Sequence, residues 1–168
     1  RTLGASGQGK LATPIGIAVS DKIVYVSDSH LKRVFGFDAN DNLIVTIGHE
    51  GELESPSGIA FDDVGKQLYV VDAGKHSIRV YSEGGDSLFS FGGRGSANGQ
   101  FNYPTNVFIR NGKVYVMDTM NFRVQVFDLH AKFLSPFGSV GNKPGLFSRP
   151  KGIAVSAEGF IFVADAAF

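Results

Sequence analysis

The chain has 168 residues, and its 16 lysines and arginines balance its 16 aspartates and glutamates, so the formal net charge is zero. This balance gives no strong overall attraction to nucleic acid or to an anionic membrane. The absence of cysteine excludes disulfides, thiolate metal sites and a cysteine nucleophile, and no apolar run approaches the roughly 18 residues of a membrane helix.

The first predicted strand, from Pro14 to Val19, opens a pattern that recurs along the chain. The copies begin at four prolines: Pro14, Pro56, Pro104 and Pro150. Successive prolines are 42, 48 and 46 residues apart, by subtraction of their numbers. Each copy carries a second apolar segment that ends in aspartate: Asp28, Asp72, Asp118 and Asp165. A recurrence near 45 residues indicates one supersecondary unit stacked on copies of itself.

The third copy contains all the predicted strands of one unit. Residues 106–110 form a short strand, and Asn111-Gly112 favours a tight hairpin because both central residues need a positive φ. Residues 113–118 then pair back as the second strand. Residues 123–128 alternate polar and apolar side chains, and residues 132–138 follow after a turn. The unit is therefore predicted to be four antiparallel strands.

The two outermost strands of a unit differ in character. The first strand is small and apolar on both faces, which suits a crowded position near an axis, whereas Pro136 in a fourth strand suits an outer edge. This contrast favours a radial arrangement, in which each unit is one blade of a β-propeller. No segment has the 3.6-residue period of a helix, which excludes helical solenoids. The sequence therefore predicts an all-β fold, a β-propeller of four-stranded antiparallel blades.

The repeated motifs resemble those of the NHL repeat family. They are Pro-x-Gly-Ile-Ala-Val, Tyr-Val-x-Asp and Arg-Val-x-Val-Phe-Asp. Residues 71–81 are similar to its namesake segment, with His76 at the family's histidine, although Lys75 stands where asparagine is usual and Asn106 replaces a glycine. The resemblance implies a six-bladed propeller, and residues 163–168 are similar to the middle of a repeat in bacterial members. A bacterial, extracytoplasmic protein is therefore expected, in keeping with the lack of cysteine.

The chain supplies less than a ring of six blades. The repeats predict blades at approximately 14–48, 56–92 and 104–138, a partial blade at 150–168, and the end of a preceding blade at 1–4. Six units of this size need on the order of 270 residues. We therefore expect an incomplete arc of about three full blades plus parts of two more, with open blade faces that need the remaining blades of the ring or a second copy for closure.

One predicted rim of the propeller is richer in cations and aromatic residues, and the other in acids. The first rim combines the loops from strand four to the next strand one with the loops between strands two and three. Its candidate binding residues are Lys32, Arg33, Lys75, His76, Arg94, Tyr103, Phe122, Arg123, Arg149 and Lys151. Because function on rigid scaffolds concentrates in loops, we expect a non-catalytic binding or scaffold propeller that recognises a protein, peptide or carbohydrate through this rim.

The aspartate at the end of each second strand is predicted to be structural. A residue that recurs once in every blade has sufficient reason in hydrogen bonds from its oxygens to backbone N–H groups of a turn. No catalytic constellation, metal site or cofactor motif is visible in the sequence. The expected catalytic, metal and cofactor sets are accordingly empty.

Two alternatives stay open at the level of sequence. The first is a propeller enzyme, a metal-dependent lyase or a lactone hydrolase with its site at the channel mouth. Some relatives of this kind, notably a peptide-amidating lyase, assemble zinc from histidines on different blades, and here His30, His49 and His76 share one rim. The second alternative is binding of single-stranded RNA by the basic rim, although Glu50, Glu52 and Glu54 interrupt it.

Overall fold

The structure is a computed structural model that describes residues 3–4, 7, 9–49 and 51–166. The described chain forms three four-stranded antiparallel sheets and one two-stranded sheet, and in each sheet the strands lie side by side in chain order. This part of the chain contains no helix long and apolar enough to span a membrane.

The strands follow one another without crossovers. The first sheet contains β1 (Pro14–Val19), β2 (Val24–Asp28), β3 (Arg33–Phe37) and β4 (Leu43–Ile47). The second contains β5 (Pro56–Asp62), β6 (Gln67–Asp72), β7 (Ser77–Ser82) and β8 (Ser87–Gly92). The third contains β9 (Pro104–Arg110), β10 (Lys113–Asp118), β11 (Arg123–Asp128) and β12 (Phe133–Phe137), with a 3-10 helix (Thr119–Asn121) before β11. The fourth contains β13 (Pro150–Val155) and β14 (Ile161–Asp165).

The hydrophobic core is divided among the joints between successive sheets. Ala18 of the first sheet and Ile59 of the second lie in one buried cluster, Tyr69 and Val116 share the next, and the third cluster joins the third sheet to the fourth. At the inner end of each joint, β1 contacts β5, β5 contacts β9, and β9 contacts β13. The predicted β-propeller architecture is thereby confirmed, with the first strand of each unit innermost.

Glycine permits the close approach of the inner strands. A Cβ atom at Gly16 would lie 2.6 Å from the carbonyl oxygen of Ser57, on the neighbouring strand. This distance is far below van der Waals contact, so a larger residue would push β1 and β5 apart. The physical reason for the small residues in the first strand is therefore the neighbouring backbone.

Both ends of the arc expose side chains that are buried elsewhere. Ile17 is 65% exposed, whereas Ile59 and Ile153, at the same position of their repeats, are 6% and 8% exposed. At the other end Phe162 is 61% exposed, and Tyr69 at its repeat position is fully buried. The incomplete arc expected from the sequence is thus present.

The segment before β1 covers part of the first open face. Leu3 and Leu11 pack with Val26, Phe35 and Phe37 on the side of the first sheet away from the second. Of the segment 1–4 that was predicted to end a preceding blade, residues 3 and 4 lie in a turn, and residues 1 and 2 fall outside the described residues. Its assignment to another blade stays a prediction.

Candidate functional site

The recurring aspartates anchor the loops of the basic rim. The carboxylate of Asp28 accepts hydrogen bonds from the backbone N–H groups of Ala12 and Thr13, at 2.6 and 2.8 Å, and from that of Leu31 at 2.9 Å. The first two donors precede β1, and the third lies in the turn after β2. One side chain therefore fixes both kinds of rim loop in its repeat, and the same pattern recurs at Asp72.

The ionisation of Asp28 follows from these bonds. Burial acts to raise the pKa of the carboxyl, but hydrogen bonds from the backbone N–H groups of Leu31, Ala12, Thr13 and His30 outweigh it and hold the pKa below its usual value. Asp28 is therefore a charged residue that is already saturated with donors.

Asp118 uses a different set of donors. One oxygen accepts the N–H of Asn102 at 2.7 Å, and the other accepts the Nε of Arg123 at 2.9 Å. Arg123 also donates from Nη2 to the carbonyl oxygens of Ala97 and Gln100. With its side chain only 14% exposed, Arg123 fastens the loop before β9 and presents little charge to a ligand.

Lys75 and His76 are also occupied by loop contacts. The Nζ of Lys75 donates to the carbonyl oxygens of Gly51 and Glu52, at 2.7 and 2.9 Å. The Nδ1 of the buried His76 accepts the N–H of Tyr103 at 3.1 Å, and the two rings meet edge to face with centroids 4.6 Å apart. The ring of His76 is thus committed to the loop that precedes β9.

The remaining candidate residues are dispersed. Arg94, Arg149 and Lys151 are exposed on separate loops or strand ends, whereas Phe122 is half-buried in the cluster between the third and fourth sheets. Of the ten candidates, Lys75, His76, Tyr103, Phe122 and Arg123 are thus engaged in contacts within the fold, and the continuity of the rim stays a prediction. Within the described residues, no three histidine, aspartate or glutamate side chains lie close enough to hold a metal ion.

Lys32 and Arg33 lie together at a pocket of about 470 Å³. The pocket opens between the turn that follows β2 and the loop that follows β4. Its lining residues are Leu31, Lys32, Arg33, Gly48, His49, Gly51 and Leu53. Both cations are exposed, and neither side chain forms a hydrogen bond or ion pair with a described residue. The pocket thus joins two exposed positive charges to a buried aliphatic floor at Leu53.

The far wall of this pocket is held in place by Glu52. Its carboxylate accepts the backbone N–H of His49 at 3.1 Å, and its carbonyl oxygen accepts Lys75 Nζ at 2.9 Å and Arg79 Nη1 at 3.0 Å. Gly48 makes the close approach of the two loops possible, since a Cβ atom there would lie 2.5 Å from the carbonyl oxygen of Lys32. The pocket shape is therefore built into the loop hydrogen bonds.

Sequence reasoning found the two cations but missed their surroundings. His49 and Leu53 were not recognised as neighbours of Lys32, because β3 and β4 lie between them and the turn that carries Leu31 and Lys32. The one local signal was Gly48, which follows β4 at the same repeat position as Gly92 and marks a tight passage of the backbone.

Known proteins share these repeats, although no family model matches the chain. It is 30% identical over 122 residues to the human E3 ubiquitin-protein ligase NHLRC1, covering 72% of this chain and 29% of the ligase. It is 30% identical over 119 residues to the Drosophila melanogaster protein brain tumor, covering 69% of this chain and 11% of that protein. It is 34% identical over 93 residues to the bovine NHL repeat-containing protein 2, covering 51% of this chain and 13% of that protein. The chain thus spans less than a third of the length of each of these relatives.

Solved structures match the fold over most of the chain. A Bacteroides thetaiotaomicron protein of unknown function is 18% identical, with a TM-score of 0.74 over 91% of this chain and 44% of its own. Hydrazine synthase from Kuenenia stuttgartiensis is 17% identical, with a TM-score of 0.69 over 92% of this chain and 43% of its own. Such low identities bear on the fold alone, and six blades, a bacterial origin and an extracytoplasmic location stay predictions. The repeated motifs, the four successive sheets and the named relatives together make this chain an incomplete β-propeller of the NHL repeat family.

Proposed function

We propose that this propeller is a non-catalytic binding or scaffold domain that recognises a protein, peptide or carbohydrate through the rim of its strand four-to-one and strand two-to-three loops. The observation that carries the proposal is the pocket at Lys32 and Arg33. Ligand sites are typically concave, with an apolar floor and a few polar groups that orient the ligand. This pocket has that composition.

The hydrogen bonds around the pocket support a role in binding. Its walls are fixed by Glu52 and by the close passage at Gly48, so little conformational freedom would be lost when a ligand binds. The human relative is named as a ubiquitin ligase, but the matched segment is 29% of that protein. We infer that the shared repeats supply recognition, and that any reaction belongs to other parts of such proteins.

Binding arrays can test the proposal. The 168-residue chain would be labelled and applied to a peptide array and a glycan array, in parallel with a variant carrying Lys32→Glu and Arg33→Glu. The matched control carries Lys22→Glu and Lys113→Glu, which make the same charge change at exposed hairpins of the opposite rim. We expect array signals that the control keeps and that K32E/R33E loses.

The opposite results would overturn the assignment. If neither array gives a signal, or if every signal survives K32E/R33E, this rim is not the binding surface. Circular dichroism of all three proteins separates a lost surface from a lost fold.

A further inference from the structure

Arg33 and Arg123 occupy the same position in two repeats but have different environments. Each is paired across its sheet with the recurring aspartate, Asp28 for Arg33 and Asp118 for Arg123. Arg123 reaches that carboxylate at 2.9 Å. Arg33 has no hydrogen bond or ion pair with Asp28, whose oxygens accept backbone N–H groups instead. Among the described residues, the first repeat therefore shows an arginine without the acidic partner that the third repeat supplies.

The difference has an identifiable cause in the preceding loop. Before β9, the N–H of Tyr103 is taken by His76, so Asp118 receives only Asn102 from that loop. Its second oxygen accepts side chains instead: Asn121, Arg123 and Gln125. Before β1, both Ala12 and Thr13 donate backbone N–H groups to Asp28, and no side chain among the described residues donates to it. Arg33 and Lys32 are both exposed and line the pocket, and neither is paired with a described residue.

We infer that this pocket takes an acidic peptide segment, and this inference rests on the proposed function. A carboxylate side chain of the ligand lies between Lys32 and Arg33, and an adjacent apolar side chain packs against Leu31 and Leu53. A guanidinium group matches a carboxylate with two parallel hydrogen bonds, and such charge-assisted pairs are among the stronger polar contacts in proteins. The aliphatic lining contributes to binding because the apolar side chain of the ligand buries its surface against it.

The lining favours an acidic peptide over nucleic acid. Single-stranded nucleic acid is bound through aromatic side chains on which bases stack, combined with a groove of cations that follows the backbone. No phenylalanine, tyrosine or tryptophan lines this described pocket. Tyr103 is committed to an edge contact with His76, and Phe122 is half-buried in a distant joint.

An uncharged ligand is also a poorer match. A neutral carbohydrate or peptide would cover Lys32 and Arg33 without supplying a countercharge, and desolvation of an uncompensated charge is costly. The backbone at Gly51 is open, since a Cβ atom there would meet nothing within 4 Å, so an extended peptide can approach that loop closely. The carboxylate of Glu52, in the same loop, is engaged by the N–H of His49. The exposed cations and the open backbone at Gly51 therefore favour an acidic peptide.

Fluorescence anisotropy with three labelled hexapeptides tests the inference on the full 168-residue chain. In each peptide leucine alternates with one other residue, which is glutamate in the first, glutamine in the second and lysine in the third. We expect the glutamate peptide to bind at least about tenfold more tightly than the glutamine peptide, and to weaken as salt is added. In K32E/R33E the order should reverse, so that the lysine peptide binds and the glutamate peptide does not. This gain of binding shows that the variant is folded, and K22E/K113E should behave as the wild type.

Equal affinity for the glutamate and glutamine peptides, no measurable binding of the glutamate peptide, or its undiminished binding to K32E/R33E would each overturn the inference. If array ligands still depend on Lys32 and Arg33 in that case, the proposed function stands and only the ligand class is wrong. If oligouridine binds the pocket more tightly than the glutamate peptide, the ligand is a nucleic acid and both proposals fail.

Discussion

The phenol of Tyr25 in β2 donates a 2.6 Å hydrogen bond to the carbonyl oxygen of Glu83, which lies 58 residues further along the chain in the hairpin between β7 and β8. The same bond recurs one sheet later, from Tyr69 to the carbonyl oxygen of Leu129 at 2.9 Å. This tyrosine of the repeat therefore fastens each sheet to the outer hairpin of the next, in addition to filling the joint between them. Tyr115 has the same position in the third sheet and donates to no described residue.

Replacing Tyr25 by phenylalanine should lower the free energy of unfolding by about 1 kcal/mol, because the carbonyl of Glu83 loses its partner while the ring is kept. Tyr115→Phe is the matched control, and it should cost clearly less because no such bond is broken. Urea denaturation of both variants measures the difference. Equal losses would mean that the hydrogen bond of Tyr25 contributes nothing to stability.

Alkaline pH should loosen the same joints. Burial, assisted by the charges of Asp62 and Asp128, raises the pKa of Tyr69 to about 12 from its ordinary value of 10.0, and burial also raises the pKa of Tyr25. Because the folded state holds these phenols neutral above their ordinary pKa, their stabilisation is complete below pH 10.0 and is lost as the pH rises toward 12. The melting temperature should therefore fall over this interval.

The double variant Tyr25→Phe/Tyr69→Phe isolates that effect. It starts from a lower stability, since two hydrogen bonds are gone, but its melting temperature should depend less steeply on pH than that of the wild type. Identical slopes for the two proteins would contradict the assignment to these tyrosines.

Gly92 should resist substitution more strongly than Gly99. Both have a positive φ, 101° and 81°, but a Cβ atom at Gly92 would lie 2.5 Å from ring carbons of the buried Phe101, whereas one at Gly99 would meet nothing within 4 Å. Gly99→Ala carries only the backbone cost of about 1–2 kcal/mol. Gly92→Ala should cost at least about 1 kcal/mol more, because the core of that joint is overpacked. Thermal unfolding of the two variants checks this order, and the reverse order would show that Phe101 moves aside freely.

Features set by neighbouring residues along the chain were predictable from the sequence. Asn111 and Gly112 have positive φ values of 52° and 68°, as their hairpin requires, and the fourth strand predicted at 132–138 is observed at Phe133–Phe137. The first strand of that unit begins earlier than predicted, at Pro104, because this residue pairs with Asp118 across a bulge. The alternation of polar and apolar residues and the composition of the turns predict the strands and hairpins. The predicted strand ends differ from the observed ones by a residue or two.

The electrostatic partners of the rim were not predictable in the same way. All ten candidate residues have side chains suited to binding, yet Lys75 and Arg123 are held by carbonyl oxygens of loops at least 23 residues away in sequence. Asp28 accepts backbone N–H groups from its loops, whereas Asp118 accepts one loop N–H and three side chains, Arg123 among them. Loop length and three-dimensional path decide these partners, and a repeat pattern contains neither.

Substitutions of Arg123 and Arg33 test whether the first residue stabilises the fold while the second binds the ligand. Arg123→Ala should lower the free energy of unfolding by about 1.5–3 kcal/mol, because a bond to the buried carboxylate of Asp118 is lost. Arg33→Ala should change stability by no more than about 0.5 kcal/mol, since the side chain is exposed and has no described partner. Hydrogen exchange in the loop before β9 should rise in the first variant only, because that loop loses the donors to Ala97 and Gln100.

Affinity for the glutamate peptide should respond in the opposite sense, falling in R33A and persisting in folded R123A. Equal stability losses, or peptide binding that disappears only in R123A, would return Arg123 to the binding surface and remove Arg33 from it.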